Sequence, residues 1–141
     1  MKRHFRLSAF LLTLAIAIAA VGYTQTRQQR TAASLAGVWK GNFPNAPAVE
    51  FHLQAPSGKP AGTVIFYKVV NNGDSAEIRG KVEAPLLDPV FDGQTLSFKV
   101  KREDDSFFQG RVSFVADHEA ILRSHDQATS ENQAMTLRRA Q

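Results

Sequence analysis

The sequence predicts an all-β domain, an antiparallel meander of about eight strands that closes into a small barrel. Three observations favour this fold class. Apolar and polar residues alternate with a period of two over much of the chain after Leu35. Turn-forming residues recur about every ten positions, and no window after Leu35 has the apolar spacing of an amphipathic helix. Barrel closure also removes exposed sheet edges, and a two-sheet sandwich is the alternative architecture.

The alternation is clearest in residues 49–54, 77–83 and 96–101, where apolar or small side chains occupy every second position. This pattern indicates strands with one face on the core and the other in water. Turns that tolerate positive φ separate the strands, among them Asn72-Gly73 and Asp92-Gly93. The strands are predicted at residues 36–43, 48–54, 61–70, 76–84, 94–102, 107–117, 119–125 and 133–139.

The predicted strand 61–70 differs from the others because both of its faces are apolar over residues 63–70, TVIFYKVV. A barrel strand normally has a polar outer face, so we expect another segment to cover this one. The candidate cover is a predicted loop at residues 85–91, PLLDPVF, which is rich in apolar side chains. This loop either folds over the barrel wall or mouth as structure, or forms a ligand lid or a partner-binding patch.

The first 22 residues have the three parts of a secretory signal peptide. Three basic residues stand among the first six, an apolar run covers residues 7–21, and the run ends in small residues. This run is shorter than the roughly 20 residues that comfortably span a bilayer. We therefore expect export to the periplasm or the medium, with cleavage after Ala19 or Gly22. The alternative is an uncleaved anchor, which is the only membrane contact that the sequence predicts.

Residues 23–34 are polar and lack a hydrophobic period, which predicts a flexible leader ahead of a barrel domain at residues 35–141. The chain carries 17 Lys and Arg against 13 Asp and Glu, a net charge of +4. Three basic residues lie in the predicted signal peptide and two, Arg27 and Arg30, in the leader, which leaves the domain 12 basic against 13 acidic residues. The basic charge therefore reflects export, and no nucleic-acid partner is predicted.

The residue types that build catalytic and metal sites are missing or badly spaced. The chain has no cysteine, which excludes disulfides, thiolate nucleophiles and Cys-ligated metals. His118 and His125 flank the strand predicted at 119–125 and would lie about 23 Å apart, too far to share a metal ion. The sequence has no Gly-x-Ser-x-Gly elbow and no phosphate-binding glycine loop. No metal, cofactor or catalytic residue is predicted.

Gly37-Val38-Trp39 opens the first predicted strand, and Arg138 and Arg139 lie in the last. This arrangement resembles the lipocalin-like (calycin) family, in which a basic side chain from near the C-terminus covers the tryptophan of a Gly-x-Trp motif at the closed barrel end. Alternation puts Arg139 on the apolar face of its strand, so the resemblance implies a cation–π contact between Arg139 and Trp39. About 100 residues are also similar to small exported bacterial proteins of uncharacterised function. The resemblance implies a fold more than an activity.

Two functional hypotheses follow. In the first, the chain is a non-catalytic binding or structural module that holds a small apolar or amphipathic molecule, or a partner protein, at the barrel mouth beneath the 85–91 loop. Its expected ligand-binding residues are Phe66, Tyr67, Leu87 and Phe91. In the second, the chain is a barrel-cavity enzyme, an isomerase or hydrolase acting on a small apolar substrate. A pocket that joins His118 or His125 to a buried carboxylate would favour the enzyme.

Overall fold

The computed structural model describes residues 29–125 and 132–141. The predicted signal peptide and residues 23–28 of the predicted leader lie outside the described residues. The described part contains two short 3-10 helices, and no helix there has the length and hydropathy that crossing a bilayer requires. The 3-10 helices are Ala32–Leu35 and Pro56–Gly58, and the strands are β1 (Gly37–Phe43), β2 (Ala46–Gln54), β3 (Ala61–Asn72), β4 (Ser75–Pro85), β5 (Leu87–Phe91), β6 (Thr95–Lys101), β7 (Phe107–Ala116), β8 (Glu119–His125) and β9 (Asn132–Arg139).

The nine strands form one curled antiparallel sheet, a half-barrel, in the order β4-β3-β2-β1-β9-β8-β7-β6-β5. The first and last strands pair near its middle, where Trp39 lies opposite Arg139. The two edge strands, β4 and β5, are consecutive in the sequence and are joined through the buried Leu86, whose N–H donates to the carbonyl of Gly62 at 2.9 Å. The predicted all-β antiparallel meander is confirmed. The two strands at the edges of the sheet come from the middle of the sequence.

Strand β5 occupies the segment predicted to be a covering loop, so that prediction is wrong. Asp88 has a φ of 48°, and the pairing of β5 with β6 is irregular between Leu87 and Val90. A proline inside a run of residues argues against a central strand but is tolerated at a sheet edge or a bulge, where its missing N–H removes no ladder bond. Pro89 therefore made this edge strand hard to recognise from the sequence. In the structure β5 pairs with β6 and does not cover β3.

The core fills the concave face of the sheet because every second side chain of most strands points there. It is made of large apolar residues from both halves of the sheet, with Phe51 packed edge-to-face on Phe98 at 5.5 Å between ring centroids. The largest of the fully buried side chains are those of Trp39, Phe51, Phe114, Leu35, Leu96, Leu137, Val64 and Val112.

The 3-10 helix Ala32–Leu35 lies at one end of the half-barrel, which we call the closed end. Arg30, just before it, donates from its backbone N–H to the carbonyl of Gly93 at 3.0 Å and from its guanidinium to the carbonyl of Phe114 at 2.7 Å. Residues 29–34, the described end of the predicted leader, thus contact the sheet. Leu35 is buried, and its carbonyl accepts a 2.9 Å hydrogen bond from the indole of Trp39.

The C-terminal strand completes the closed end. The guanidinium carbon of Arg139 lies 5.4 Å from the centroid of the Trp39 ring, and the same guanidinium donates a hydrogen bond to the carbonyl of Ala36. A cation over an indole face is attracted by the negative charge of the ring face. Arg139 therefore ties the last strand both to the tryptophan and to the segment that enters β1.

Replacing Arg139 with alanine should lower the free energy of unfolding by about 1 kcal/mol, because the cation–π contact and one hydrogen bond are lost. For a domain of this size the melting midpoint should fall by about 5 °C. Arg138→Ala is the matched control, since Arg138 makes an exposed ion pair of 3.1 Å with Glu119 and such pairs contribute little. Equal midpoints for Arg139→Ala and Arg138→Ala, measured by circular dichroism, would contradict this role for Arg139.

Candidate functional site

A cavity of about 600 Å³ opens at the end of the half-barrel opposite Trp39. Strands from both halves of the sheet contribute to the cavity wall, which is mostly apolar. Known small-molecule sites in proteins have volumes of about 300 to 1,000 Å³ and walls of this composition. The apolar residues that line it are Phe43, Val49, Phe66, Val82, Val100, Phe108, Leu122 and Met135, with Ala48, Ala84 and Ala134 between them.

Two aromatic rings of the cavity wall contact each other. Phe66 of β3 and Phe108 of β7 pack edge-to-face with 5.5 Å between ring centroids, and both side chains are only partly buried. Phe43 at the end of β1 is 48% exposed although it lies on the same lining. These apolar rings remain partly in contact with water, so their burial against a ligand would lower the free energy of the complex.

A glycine next to the cavity wall makes room for Met135 and Val49. Gly41 of β1 is buried, and a Cβ at this position would lie 2.5 Å from the sulfur of Met135 and 3.0 Å from a methyl group of Val49. The Met135 side chain can therefore lie against the bare backbone of β1. Methionine is a flexible side chain that adjusts to irregular apolar partners, so Met135 suits a surface that must accommodate a ligand.

The rim of the cavity carries charge. Four consecutive residues, 101–104, line it on one side, from the last residue of β6 into the β6–β7 turn. The guanidinium carbon of Arg102 lies 5.8 Å from the centroid of the Phe108 ring. Across the opening, Lys68 of β3 forms an exposed ion pair of 3.6 Å with Glu103. The opening thus presents polar groups to water above an apolar wall, an arrangement that suits an amphipathic molecule.

The four ligand-binding residues predicted from sequence lie in different places. Phe66 lines the cavity. Tyr67 is on the other face of the same strand, where its hydroxyl donates to Glu50 at 3.4 Å. Leu87 is half-buried in the edge strand β5, and Phe91 packs edge-to-face on Phe114 at 6.0 Å, next to Trp39. The structure does not bring these four side chains together, and of them it places Phe66 at the cavity.

Sequence reasoning missed Phe108, Met135 and Arg102 as site residues. Strand parity contains the signal for two of them. Phe108 has the same parity as the buried Val112 and Phe114, and Met135 the same parity as Leu137. The predicted binding residues were chosen for their position near a lid at residues 85–91, which is a strand in the structure. Choosing instead the core-facing positions near the strand ends that surround the cavity would have identified Phe108 and Met135.

A second cluster of polar side chains lies on the outer face of β1, β2 and β3. Glu50 is its centre and accepts hydrogen bonds from His52 at 2.6 Å and Tyr67 at 3.4 Å, with the Lys40 ammonium at 3.4 Å. Burial alone would raise the pKa of the Glu50 carboxyl, but the hydrogen bond from His52 and the charge of Lys40 outweigh it, so this pKa lies below its ordinary value. The cluster is on the opposite face of the sheet from the cavity, so we infer that it stabilises the fold and takes no part in the cavity site.

The lowered pKa of Glu50 has a consequence for acid stability. A carboxyl whose pKa is lower in the folded chain stabilises the fold fully above its ordinary value of about 4.5, and this contribution is lost as the pH falls through the folded-state pKa. Glu50→Gln should cost about 1 kcal/mol at pH 7 and flatten the loss of stability below pH 5 in urea titrations. Glu77→Gln, which removes an exposed 2.9 Å pair with Arg79, is the control and should change little. A wild-type pH profile for Glu50→Gln would contradict this account.

None of the described histidines lines the cavity. His118 lies at the β7–β8 turn and His125 at the other end of β8, and neither lines the cavity. Among residues 29–125 and 132–141, no three His, Asp or Glu side chains gather closely enough to hold a metal ion. His52 binds Glu50 outside the cavity. The described cavity wall therefore contains apolar and rim groups but no histidine.

Fold and cavity together define a class of protein, an antiparallel β half-barrel with an open, largely apolar cavity, consistent with a lipocalin-like β-barrel. No protein-family model, no curated protein and no solved structure matches this chain.

Proposed function

We propose that this chain is a non-catalytic binding module whose half-barrel holds one small apolar or amphipathic molecule. The observation that carries the proposal is the open cavity of about 600 Å³ with partly exposed Phe66 and Phe108 on its wall. Ligand burial would remove these rings from water, and about 25 cal/mol per Å² of buried apolar surface is available to drive binding. The charged rim would face the polar end of an amphipathic ligand.

The composition of the cavity supports binding over catalysis. General acid–base chemistry uses groups whose protonation is tuned by burial and by neighbouring charges. Ionisable residues of the described lining belong to the β6–β7 turn, where Lys101, Glu103 and Asp104 are exposed. An apolar wall with polar groups confined to its mouth suits the retention of a molecule and supplies no acid–base pair inside.

The proposal includes a lipocalin-like origin and an exported location. The Gly37-Val38-Trp39 motif with Arg139 over its indole supports the lipocalin-like type. The basic, apolar and small-residue segments at 1–22 support export to the periplasm or the medium. A protein partner at the same mouth is the other occupant, and the binding experiment below decides between the two.

Titration with N-phenyl-1-naphthylamine, an uncharged apolar fluorophore, tests the proposal. The full chain should bind it saturably at one site per chain. Val82→Trp puts a large side chain into the cavity from β4 and should weaken the probe's binding at least about tenfold, which corresponds to about 1.4 kcal/mol. Lys81→Trp adds the same side chain at the neighbouring exposed position of β4 and should leave the affinity unchanged.

Two results would overturn the proposal. The first is the absence of saturable binding by the wild-type chain. The second is equal affinity of the Val82→Trp and wild-type chains when circular dichroism shows that both are folded. Native mass spectrometry of the chain purified from the medium or periplasm of an exporting host gives an independent measure, because a retained small molecule adds its own mass. A small molecule at one per chain supports the proposal, whereas a co-purified protein blocking the probe supports a protein partner instead.

A further inference from the structure

The outer face of the sheet carries two arginines placed directly opposite each other. Arg111 of β7 and Arg123 of β8 are cross-strand partners. Both side chains are exposed, whereas the adjacent Val112 and Leu122 are buried in the core, so the arginines lie on the convex side away from the cavity. Directly opposed residues have their Cβ atoms about 4.5 to 5.5 Å apart, and like charges at this spacing destabilise a strand pair.

This pair of positive charges is not compensated within the described part of the chain. Other basic residues of the same wall have carboxylate partners there, with Lys99 3.9 Å from Asp88 and Lys101 2.8 Å from Asp105. By contrast, the described residues provide neither an ion pair nor a hydrogen bond for Arg111 or Arg123. The two guanidinium groups therefore repel each other and keep their donors directed to solvent.

The arginines border a surface groove of about 500 Å³ on this wall. Ser97, which lies opposite Arg111 on its other side, contributes a hydroxyl, and Gln109 contributes a side-chain amide. Asp88 stands in the same lining, but its carboxylate is directed to Lys99. The groove lining thus holds the Lys99–Asp88 pair, the neutral donors of Ser97 and Gln109, and two arginines for which the described residues provide no carboxylate partner.

We propose that Arg111 and Arg123 bind a phosphate-bearing anion on the outer wall. A phosphate monoester carries about −1.5 to −2 charges near pH 7 and three acceptor oxygens, so a single group can neutralise both arginines. Guanidinium groups match phosphate oxygens by paired hydrogen bonds. A carboxylate brings one charge and would leave half of the repulsion in place. Arg111 and Arg123 do not line the cavity, although the groove and the cavity share Ser124, Gln133 and Ala134 at their border. The proposed phosphate site therefore does not depend on the proposed binding of an apolar molecule.

Inorganic phosphate is the probe that tests this site. Nuclear magnetic resonance titration of the full chain with phosphate, against chloride at equal ionic strength, should give saturable shifts of the backbone amides around residues 111 and 123. The double variant Arg111→Gln, Arg123→Gln should weaken this binding at least about tenfold. Arg79→Gln removes one exposed arginine from β4, where Arg79 already pairs with Glu77, and should bind phosphate like the wild type.

Thermal unfolding gives a readout that a merely structural role would not produce. In chloride, the double variant should melt at or above the wild-type temperature because the repulsion is gone. In phosphate, the wild-type midpoint should rise and that of the double variant should not. Shifts that do not saturate, or that are identical in the double variant, would overturn the proposal. So would an equal rise of both midpoints in phosphate.

The source of the phosphate group is distinguished in a second arm. Sedimentation with phosphatidylcholine vesicles that contain phosphatidic acid, a lipid with a phosphate monoester headgroup, compared with phosphatidylcholine alone, tests whether the site takes a lipid headgroup. Capture by the phosphatidic acid vesicles that is lost in the double variant assigns the site to an anionic membrane surface. Saturable phosphate binding without vesicle capture assigns it to a soluble phosphate compound.

Discussion

Trp39→Ala should lower the free energy of unfolding by about 3 to 5 kcal/mol, the cost of truncating a large aromatic side chain in a core. Trp39 is 1% exposed and packs edge-to-face on Phe114 at 5.0 Å. Its indole N–H donates to the carbonyl of Leu35 at 2.9 Å, and Arg139 lies over its ring. One substitution therefore removes a ring contact, a buried hydrogen bond and a cation–π contact, and leaves a cavity at the closed end.

Urea unfolding followed by far-ultraviolet circular dichroism measures this loss, since Trp39 is the only tryptophan in the chain and its fluorescence disappears with it. Trp39→Phe keeps an aromatic ring but loses the N–H donor, and should fall between alanine and wild type. Phe107→Ala is the matched control because Phe107 is 47% exposed and should change stability by less than about 1 kcal/mol. If Trp39→Ala unfolds no earlier than Phe107→Ala, the closed end is not part of the stabilising core.

Gly62→Ala should destabilise the fold by about 3 kcal/mol, a large effect for one methyl group. Gly62 lies opposite Leu53 in the β2–β3 ladder. A Cβ there would collide with the carbonyl oxygen of His52 and would lie 3.2 Å from the Cα of Leu53. Both obstacles are backbone atoms held by strand pairing, so relief requires the two strands to separate locally.

The carbonyl of Gly62 also accepts the hydrogen bond from Leu86, the residue between the two edge strands. Displacement of β3 should therefore weaken this hydrogen bond as well. Gly80→Ala is the matched control, since a Cβ at Gly80 of β4 would meet no atom within 4 Å. Loss of glycine's backbone freedom in the unfolded chain should make Gly80→Ala neutral or slightly stabilising. Urea midpoints measure both variants, and equal midpoints would show that β2 and β3 can move apart without cost.

Most strands could be predicted from the sequence because a half-buried strand has apolar and polar residues at alternate positions. Leu96, Phe98 and Val100 alternate in the sequence, and all three are buried. The same reasoning failed at β5, where Pro89 and the positive φ of Asp88 break the pattern. An edge strand is tolerant of such residues because its outer side makes no ladder bonds, so local sequence carries little trace of it.

The candidate site was harder to predict than the strands. Neighbours in a strand point to opposite faces, so Phe66 and Tyr67 were both plausible as lining residues until the register fixed the face of each. The register places Phe66 opposite Val82 and Tyr67 opposite Lys81, which separates the cavity from the outer wall. The position of the cavity depends on which strand ends and turns the sheet brings together, and that is a property of the whole sheet rather than of any segment.

The pairing of β1 with β9 has a consequence for folding. Every other pair of neighbouring strands in the described sheet is also adjacent in the sequence, so those pairs form as local hairpins with a small loss of chain entropy. Joining β1 to β9 brings together residues near the two ends of the domain and carries the largest loop-closure entropy. If the ends were linked and the chain opened at Leu86, the circular permutant would have its strands in the same order in sequence and in space. Such a chain would replace the one high-contact-order step with another hairpin.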